Sequence, residues 1–300
     1  MGVFTTRELQ RDEGVWEETP LLAVLKDPAA GMRHCHKCLR FLPAKGWSSC
    51  PRRCSGVRYC SADCASEADA AFHRLLCPKA PLSAEQTDAL ESLNELAVRT
   101  TVRVRMLMLM AAMIASSPGR NPFSDFEAPS WRSVSVYDPL SGEDEEQAFA
   151  RQHPGLSFSE FKTFLLEEAL KSIHRCIPDS ARWLSLQFAD SLMGLIDTNA
   201  TDLQIVGPAG KGFDRATGLF AVHSKLNHSC APNCKVVSEF PSARIRVVTT
   251  RKLPPSTQAL ISYCDRSLPT AERQKLLKGG YLFQCQCNPC RTPATETRQQ

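Results

Sequence analysis

The segment GLFAVHSKLNHSCAPNC, residues 218–234, decides the fold of this 300-residue chain. Its two cysteines, Cys230 and Cys234, open a cluster of six cysteines near the C-terminus. A second cluster, of seven, lies within residues 35–77, so thirteen of the fourteen cysteines belong to one cluster or the other. Such clusters are typical of zinc sites or of a disulfide framework. No hydrophobic signal sequence opens the chain, so we predict metal-binding thiols in a reducing compartment, the nucleus or the cytoplasm.

The last cysteines of the chain form a Cys-x-Cys-x2-Cys triplet, residues 285–290, which supplies three zinc ligands. A structural zinc ion takes four thiolate or imidazole ligands in a tetrahedron, so one ligand is missing. Three other cysteines of the same cluster are candidates for it: Cys230, Cys234 and Cys264. Any of them would bind the tail of the chain back onto the preceding domain.

The N-terminal cluster contains eight donors in four close pairs. In chain order they are Cys35 and Cys38, Cys50 and Cys54, Cys60 and Cys64, and His73 and Cys77. Each close pair can supply two ligands from one turn or one helical face, because residues i and i+4 are neighbours on a helix. The four pairs therefore predict two closed, structural zinc sites.

Composition and charge restrict the function. Hydrophobic residues make up 43% of the chain, which is ordinary for a globular protein. The formal net charge of +4 is too small to indicate nucleic acid as the primary partner. The most apolar run, residues 106–114, has about half the length of a membrane span, so we predict a buried helix and no membrane association.

Strand signals lie at both ends of the chain and helix signals in the middle. Strands are predicted within residues 1–32 and 199–268, the zinc module at 33–79, helices within 80–198 and a zinc-binding tail at 269–300. The short N-terminal strands need partners far along the chain, because a two-stranded hairpin is marginally stable alone. We therefore predict an α+β protein in which the zinc module and the helices are inserted into one β-rich domain.

Three helices are predicted in the middle region. A capping box at Ser83 and Gln86 opens a long helix that runs to about Ser116. Two further helices are predicted at about 157–176 and 179–196. Residues 118–155 are rich in proline, serine, glycine and acidic side chains, so we predict a surface loop there.

Several motifs resemble those of one enzyme family. NHSCAPNC at 227–234 resembles the NHSCxPNC signature of SET-domain lysine methyltransferases, and ISYCD at 261–265 resembles their catalytic-tyrosine motif. YLFQCQCNPC at 281–290 resembles their post-SET zinc tail. The module at 33–79 is similar to a MYND finger inserted at the same place. The chain from about residue 2 to residue 290 thus resembles the SET and MYND domain family.

The resemblance implies a β-rich SET domain with a pseudoknot, a MYND finger and three zinc ions. In the cross-braced manner of MYND fingers, each of two ions would take alternate pairs of the N-terminal module. The first set is Cys35, Cys38, Cys60 and Cys64, and the second is Cys50, Cys54, His73 and Cys77. The third ion would bind in the post-SET tail to Cys230, Cys285, Cys287 and Cys290.

The resemblance also implies an S-adenosylmethionine-dependent protein-lysine methyltransferase. Tyr263 would be catalytic and would also contact the cofactor, and Tyr281 would line the channel for the substrate lysine. The other cofactor contacts that the resemblance implies are Gly2, Asn199, Asn227, His228 and Phe283. Methyl transfer to an amine is an in-line displacement, so such a site needs alignment and an aromatic channel rather than an acidic base.

The sequence departs from the family pattern in three places. The family's opening Gly-x-Gly turn, preceded by basic residues, is represented by Gly2 alone. Cys50 and Cys54 are separated by three residues where the MYND pattern usually has two. The chain also ends ten residues after Cys290, without the helical C-terminal domain of several members, so a more open substrate cleft is expected.

Two functions follow from the resemblance. The first is lysine methylation of histone tails or other proteins. The alternative is a protein-interaction adaptor whose MYND finger binds proline-rich peptides and whose SET fold is catalytically weak or inactive. Binding and transfer of labelled S-adenosylmethionine would distinguish the two.

Overall fold

The computed structural model describes residues 2–100 and 102–291. Its helices are α1 (Ala62–Ala68), α2 (Arg74–Leu76), α3 (Ala84–Arg99), α4 (Val102–Ala115), α5 (Glu145–Gln152), α6 (Phe158–Cys176), α7 (Leu186–Asn199), α8 (Thr270–Tyr281) and α9 (Asn288–Arg291). Its strands are β1 (Gly14–Glu18), β2 (Leu22–Leu25), β3 (Tyr137–Asp138), β4 (Glu143–Asp144), β5 (Thr201–Val206), β6 (Phe213–Leu219), β7 (Asn227–His228), β8 (Cys234–Val237), β9 (Glu239–Phe240), β10 (Ile245–Thr249) and β11 (Leu260–Ile261). Strands occupy both ends of the chain and most helices the middle, so the predicted α+β organisation is confirmed.

The N-terminal strands pair with strands from the far end of the chain, as predicted. Strand β1 is antiparallel to β10, which also pairs with β8. Strand β2 is antiparallel to β6 at the edge of a four-stranded sheet of order β2-β6-β5-β9. All four residues of β2 are buried, although neighbouring side chains of a strand point to opposite faces. Both faces of this strand are therefore covered.

One parallel strand pair joins two of the motif segments. Strand β7, in the NHSC segment, pairs with β11, and Tyr263 follows two residues after β11. The side chain of Asn233 extends this contact, since it accepts the N–H of Leu260 and donates to the carbonyl of Gln258, each at 2.8 Å. The amide of Asn233 thus replaces a stretch of backbone pairing and holds the two segments in register.

The prediction of one long helix from Ser83 to Ser116 is wrong, because two helices, α3 and α4, occupy this region. The capping box is confirmed, since Ser83 and Gln86 bond to each other's backbone N–H groups. Helix α3 ends at Thr100, whose φ of −104° and ψ of −117° are not helical. The Thr100 hydroxyl donates to the carbonyl of Leu96 at 2.6 Å, and such local bonding by a β-branched residue competes with continuation of a helix.

Residues 118–155 differ from the surface loop that their composition predicted. Phe123, Trp131 and Tyr137 are buried in this segment. The acidic run that suggested a loop instead opens α5, where Asp144 accepts the N–H of Gln147 as an N-cap. Acidic residues are stabilising at a helix N-terminus, so the same composition suits a helix start as well as a loop.

The strap, which we define as residues 121–138, packs against α7 and α8. An added Cβ at Gly194 of α7 would lie 1.9 Å from the carbonyl oxygen of Pro129. An added Cβ at Gly279 of α8 would lie 2.2 Å from the carbonyl oxygen of Ser135, whose N–H donates to the Gly279 carbonyl at 3.1 Å. Only glycine permits backbones to approach this closely. The strap therefore fixes the position of α8, which leads into the cysteine tail.

Replacing Gly279 with alanine is expected to destabilise the protein by about 1–3 kcal/mol, because the new Cβ must displace the Ser135 carbonyl. Gly280 is a matched control one residue along the same helix, since an added Cβ there meets nothing within 4 Å. Gly280→Ala is expected to stabilise by about 0.5–1 kcal/mol through helix propensity. Urea unfolding of both variants measures the difference. Equal stabilities would contradict the contact between strap and α8.

The apolar run at 106–114 lies in α4 and is buried, as predicted. Met106, Leu107 and Met110 have no exposed surface, and α4 packs against β2 and α7. Among residues 2–100 and 102–291, no helix has both the length and the apolar character needed to cross a membrane. The zinc module also contributes buried residues to this main core.

Candidate active site and zinc centres

Among the residues that the structure describes, three groups of four cysteine and histidine side chains have ligand atoms gathered closely enough to hold a metal ion. In each group the four ligand atoms lie within 4.8 Å of one another. The groups are Cys35, Cys38, Cys60 and Cys64; Cys50, Cys54, His73 and Cys77; and Cys230, Cys285, Cys287 and Cys290. Four sulfur or imidazole ligands are the donor set of a structural zinc ion. These are the sets that the family resemblance implied, and the structure brings each set together.

Local structure positions the two groups of the N-terminal module. Ser61 caps α1 and accepts the N–H of Cys64, so the first turn of the helix presents Cys64 beside its group. In the other group, the Cys54 sulfur lies 3.4 Å from Nε2 of His73. Burial lowers the pKa of His73 to about 4, so its imidazole is neutral in neutral solution. A neutral imidazole is the form that binds zinc.

Cys230 is the fourth member of the tail group. Its sulfur lies 3.5 Å from that of Cys290. Cys234 is buried in an apolar cluster with Leu9, and no metal-binding group among the described residues includes it. Cys264 lies near Cys230 but outside the four-membered group. Of the three candidates that the sequence left open, the structure therefore gathers Cys230 with the triplet.

The imidazole of His228 connects the tail group to the candidate active site. The backbone N–H of Tyr263 donates to its Nδ1 at 3.0 Å. Burial lowers the pKa of His228 to about 4, so the ring is neutral and its hydrogen is on Nε2. Nε2 lies 3.3 Å from the Cys230 sulfur and donates to it. His228 thus hydrogen-bonds to a candidate ligand and stands outside the four-membered tail group, although its ring lies within 4.8 Å of the ligand atoms of Cys230 and Cys264.

Tyr263 lies at the centre of the candidate active site. Its hydroxyl donates to the carbonyl of Leu226, and its ring centroid is 4.7 Å from that of Tyr281 and 6.4 Å from that of Phe283. Burial raises the pKa of Tyr263 and of Tyr281 to about 12. Both hydroxyls are therefore protonated at neutral pH. The three rings pack against the tail cysteines in one cluster, which fixes their positions.

Two cavities meet at Tyr263 and Tyr281. The larger has a volume of about 740 Å³ and the smaller about 450 Å³, which lies in the range of roughly 300–1,000 Å³ typical of ligand sites. The walls that both cavities share are Thr198, Asn199, Ser224, Tyr263 and Tyr281. A ligand in the larger cavity can therefore approach a side chain in the smaller one across the two tyrosines.

Most residues predicted to contact the cofactor line the larger cavity. They are Asn199, Asn227, His228, Tyr263 and Phe283. The sixth predicted residue, Gly2, does not line the cavity. It lies next to Asn227, since an added Cβ at Gly2 would be 3.2 Å from the side-chain nitrogen of Asn227. Tyr281, predicted to line the lysine channel, lines both cavities.

Sequence reasoning missed residues on both sides of the site. Glu127 and Pro129 of the strap line the larger cavity, and the carbonyl of Glu127 accepts from the Asn199 amide at 2.9 Å. The loop-like composition of the strap gave no signal that these residues line a cavity. Thr201 and His223 line the smaller cavity, and for His223 the only sequence signal is its place within the quoted segment.

Several known proteins are similar to this chain over most of its length. The SET domain family model matches residues 1–264 of the chain. Protein-lysine N-trimethyltransferase SMYD5 of Mus musculus is 26% identical over 98% of this chain and 85% of its own length. Histone-lysine N-methyltransferase SET5 of Mycosarcoma maydis is 26% identical over 97% of this chain and 65% of its own length. SET domain and MYND-type zinc finger protein 6 of Schizosaccharomyces pombe is 26% identical over 81% of this chain and 40% of its own length.

Proposed function

The chain belongs to the SET domain family, and from this premise we propose that it transfers a methyl group from S-adenosylmethionine to the side-chain amine of lysine residues in proteins. One observation carries the proposal. Two cavities of ligand size share Tyr263 and Tyr281 as walls. A cofactor in the larger cavity and a lysine side chain in the smaller one would meet at these tyrosines, which is what direct methyl transfer requires.

The larger cavity has the chemical groups that S-adenosylmethionine needs. Phe283 offers an aromatic face for the adenine, and the side chains of Asn199 and Asn227 make part of the cavity wall polar. Glu127 adds a carboxylate, which favours a cationic ligand. An added Cβ at Gly2 would lie 2.3 Å from the side-chain nitrogen of Gln258 and 3.2 Å from that of Asn227, so a larger residue would crowd this wall. The residues present thus fit the cofactor that the family uses.

The protein's own contribution to the reaction is alignment. S-adenosylmethionine supplies an electrophilic methyl group when it is bound. The Tyr263 hydroxyl, fixed by the Leu226 carbonyl, provides a preorganised polar group where the two cavities meet. The faces of Tyr263 and Tyr281 attract a cationic amine and exclude water around it. Because both tyrosines are protonated at neutral pH, neither serves as the base that removes the amine proton.

We propose histones or other proteins as the substrates. The Mycosarcoma maydis relative is named a histone-lysine methyltransferase and the Mus musculus relative a protein-lysine trimethyltransferase.

We also propose that the chain holds three zinc ions, at the three groups described above, and works in the nucleus or the cytoplasm. The closed four-donor sets and a relative named for its MYND-type zinc finger support this metal content. The N-terminal module is proposed to bind proline-rich peptides, as its resemblance to a MYND finger implies. Metal analysis of the purified protein is expected to give three zinc ions per chain.

The proposal is tested with labelled S-adenosylmethionine, purified zinc-loaded protein, core histones and a lysine peptide library. We expect label on lysine residues, and a lower cofactor affinity in an Asn227→Ala variant, because Asn227 lines the larger cavity. A protein that neither binds the cofactor nor labels any substrate would show that the SET fold is inactive. The alternative function, binding of proline-rich peptides by residues 33–79 without methyl transfer, would then be the remaining proposal.

A further inference from the structure

Four titratable side chains line the smaller cavity: Asp202, His223, Tyr263 and Tyr281. A lysine ammonium group that leaves water for this cavity needs hydrogen-bond acceptors, because a buried charge without partners is costly. The tyrosines are protonated, and the Tyr263 hydroxyl already donates to a carbonyl. The Asp202 side chain is 68% exposed and engaged by Lys26. The hydroxyl oxygens of both tyrosines can still accept a hydrogen bond, but the neutral imidazole of His223 offers a more basic acceptor inside the cavity wall.

The imidazole of His223 is held in place and is neutral. Only 7% of the residue is exposed, and its backbone N–H donates to the Glu18 carboxylate at 2.9 Å. Nδ1 lies 3.1 Å from the hydroxyl oxygen of Thr201, and the ring lies edge-on to Phe220 with the centroids 5.9 Å apart. Burial lowers the pKa of His223 to about 4. Because Nδ1 is engaged, Nε2 is the nitrogen left for a ligand.

We propose that Nε2 of His223 accepts a hydrogen bond from the ammonium group of the target lysine and so positions this group beside Tyr263 and Tyr281. The inference rests on the proposed function, since it assumes that the lysine side chain enters the smaller cavity. The proposal requires the tautomer in which the Thr201 hydroxyl accepts from Nδ1–H, because this tautomer leaves the lone pair on Nε2. His223 and Thr201 together then make the cavity selective for an amine over an apolar chain end.

The test compares two peptides that differ in one terminal group. The tightest-binding lysine peptide is selected from a library in the presence of S-adenosylhomocysteine, and the same peptide is made with norleucine in place of lysine. We expect the wild-type protein to bind the lysine peptide about ten- to hundredfold more tightly, as a hydrogen bond to a charged group implies. His223→Leu is expected to remove most of this preference without changing the Kd of the norleucine peptide.

Two further variants separate positioning from a structural role. His223→Gln retains a carbonyl acceptor and is expected to restore part of the lysine preference, and Thr201→Val is expected to reduce the preference by an intermediate factor. Weaker binding of both peptides by the same factor in His223→Leu, or no lysine preference in the wild type, would overturn the inference. A wild-type protein that prefers lysine but transfers no methyl group would instead refute the proposed function and leave the inference standing.

Discussion

Replacing Tyr263 with phenylalanine is expected to lower kcat for methyl transfer by about 100- to 1,000-fold, the usual loss when one preorganised polar group is removed from a reacting centre. The variant loses the hydroxyl that fixes the Leu226 carbonyl where the two cavities meet. The ring remains, so packing against Tyr281 and cofactor affinity are expected to change little. Single-turnover transfer of labelled methyl groups, together with a cofactor titration, measures both quantities.

Tyr137→Phe is the matched control, because Tyr137 is also buried but lines neither cavity. It is expected to retain the wild-type rate.

The pH profile of methyl transfer gives a second check on Tyr263. An ordinary tyrosine loses its proton at about pH 10, whereas burial raises the pKa of Tyr263 to about 12. The contribution of this hydroxyl to the rate of methyl transfer should therefore persist above pH 10 and fall only as the pH approaches 12. An unchanged rate in Tyr263→Phe would exclude Tyr263 as the catalytic residue.

Replacing Cys285 with serine is expected to abolish methyl transfer and to remove one zinc ion per chain. Cys285 belongs to the tail group, which packs against Tyr263, Tyr281 and Phe283 in one cluster. Substitutions around a metal ligand commonly weaken metal binding by about 10- to 100-fold, so loss of a ligand itself should weaken the tail site by more than about 100-fold. Without the metal, the short segment that carries Phe283 would keep the two bonds between Gln274 and the Cys285 backbone but lose its link to Cys230. Chelator competition and metal analysis measure the zinc content.

Cys234→Ser is the matched control for this experiment. Cys234 is as buried as any tail cysteine, but no metal-binding group among residues 2–100 and 102–291 contains it. The variant is expected to lose some stability, because a hydroxyl replaces a thiol in an apolar cluster, yet to keep its full zinc content. If Cys285→Ser kept all its zinc and its activity, or if Cys234→Ser lost a zinc ion, the assignment of the tail ligands would be wrong.

The sequence predicted the elements whose cause is local. The capping box at Ser83 depends on residues three apart, and it is present. The buried helix at 106–114 follows from the density of apolar residues there. The prediction of one long helix through Thr100 failed because apolar patterning does not reveal where a hydroxyl bonds to the preceding turn. The loop predicted at 118–155 failed because acidic and proline-rich composition is shared by loops, helix starts and extended segments packed on a core.

The candidate site was predictable where motifs mark it and not elsewhere. Asn227, His228 and Tyr263 stand in two motifs, and they line one cavity. Glu127 and His223 stand in no motif. The place of Glu127 depends on the course of the strap against α7, and that of His223 depends on its contact with Thr201 of β5. Both are consequences of packing between separate segments.

Sequence by itself determined the α+β class, the pairing of the first strands with the last ones, and the family. The family is readable from sequence because spaced cysteines and the NHSC segment express chemical requirements that do not depend on the rest of the chain. Cysteine spacing left Cys230, Cys234 and Cys264 open, and the family resemblance implied Cys230; the tertiary structure gathers Cys230 with the tail triplet. Only the tertiary structure decided that His228 lies between that triplet and Tyr263, and that two cavities share the tyrosine walls. The physical reason is distance along the chain. Cys230 and Cys290 are 60 positions apart and His228 and Tyr263 are 35 apart, so their approach depends on the packing of the elements between them.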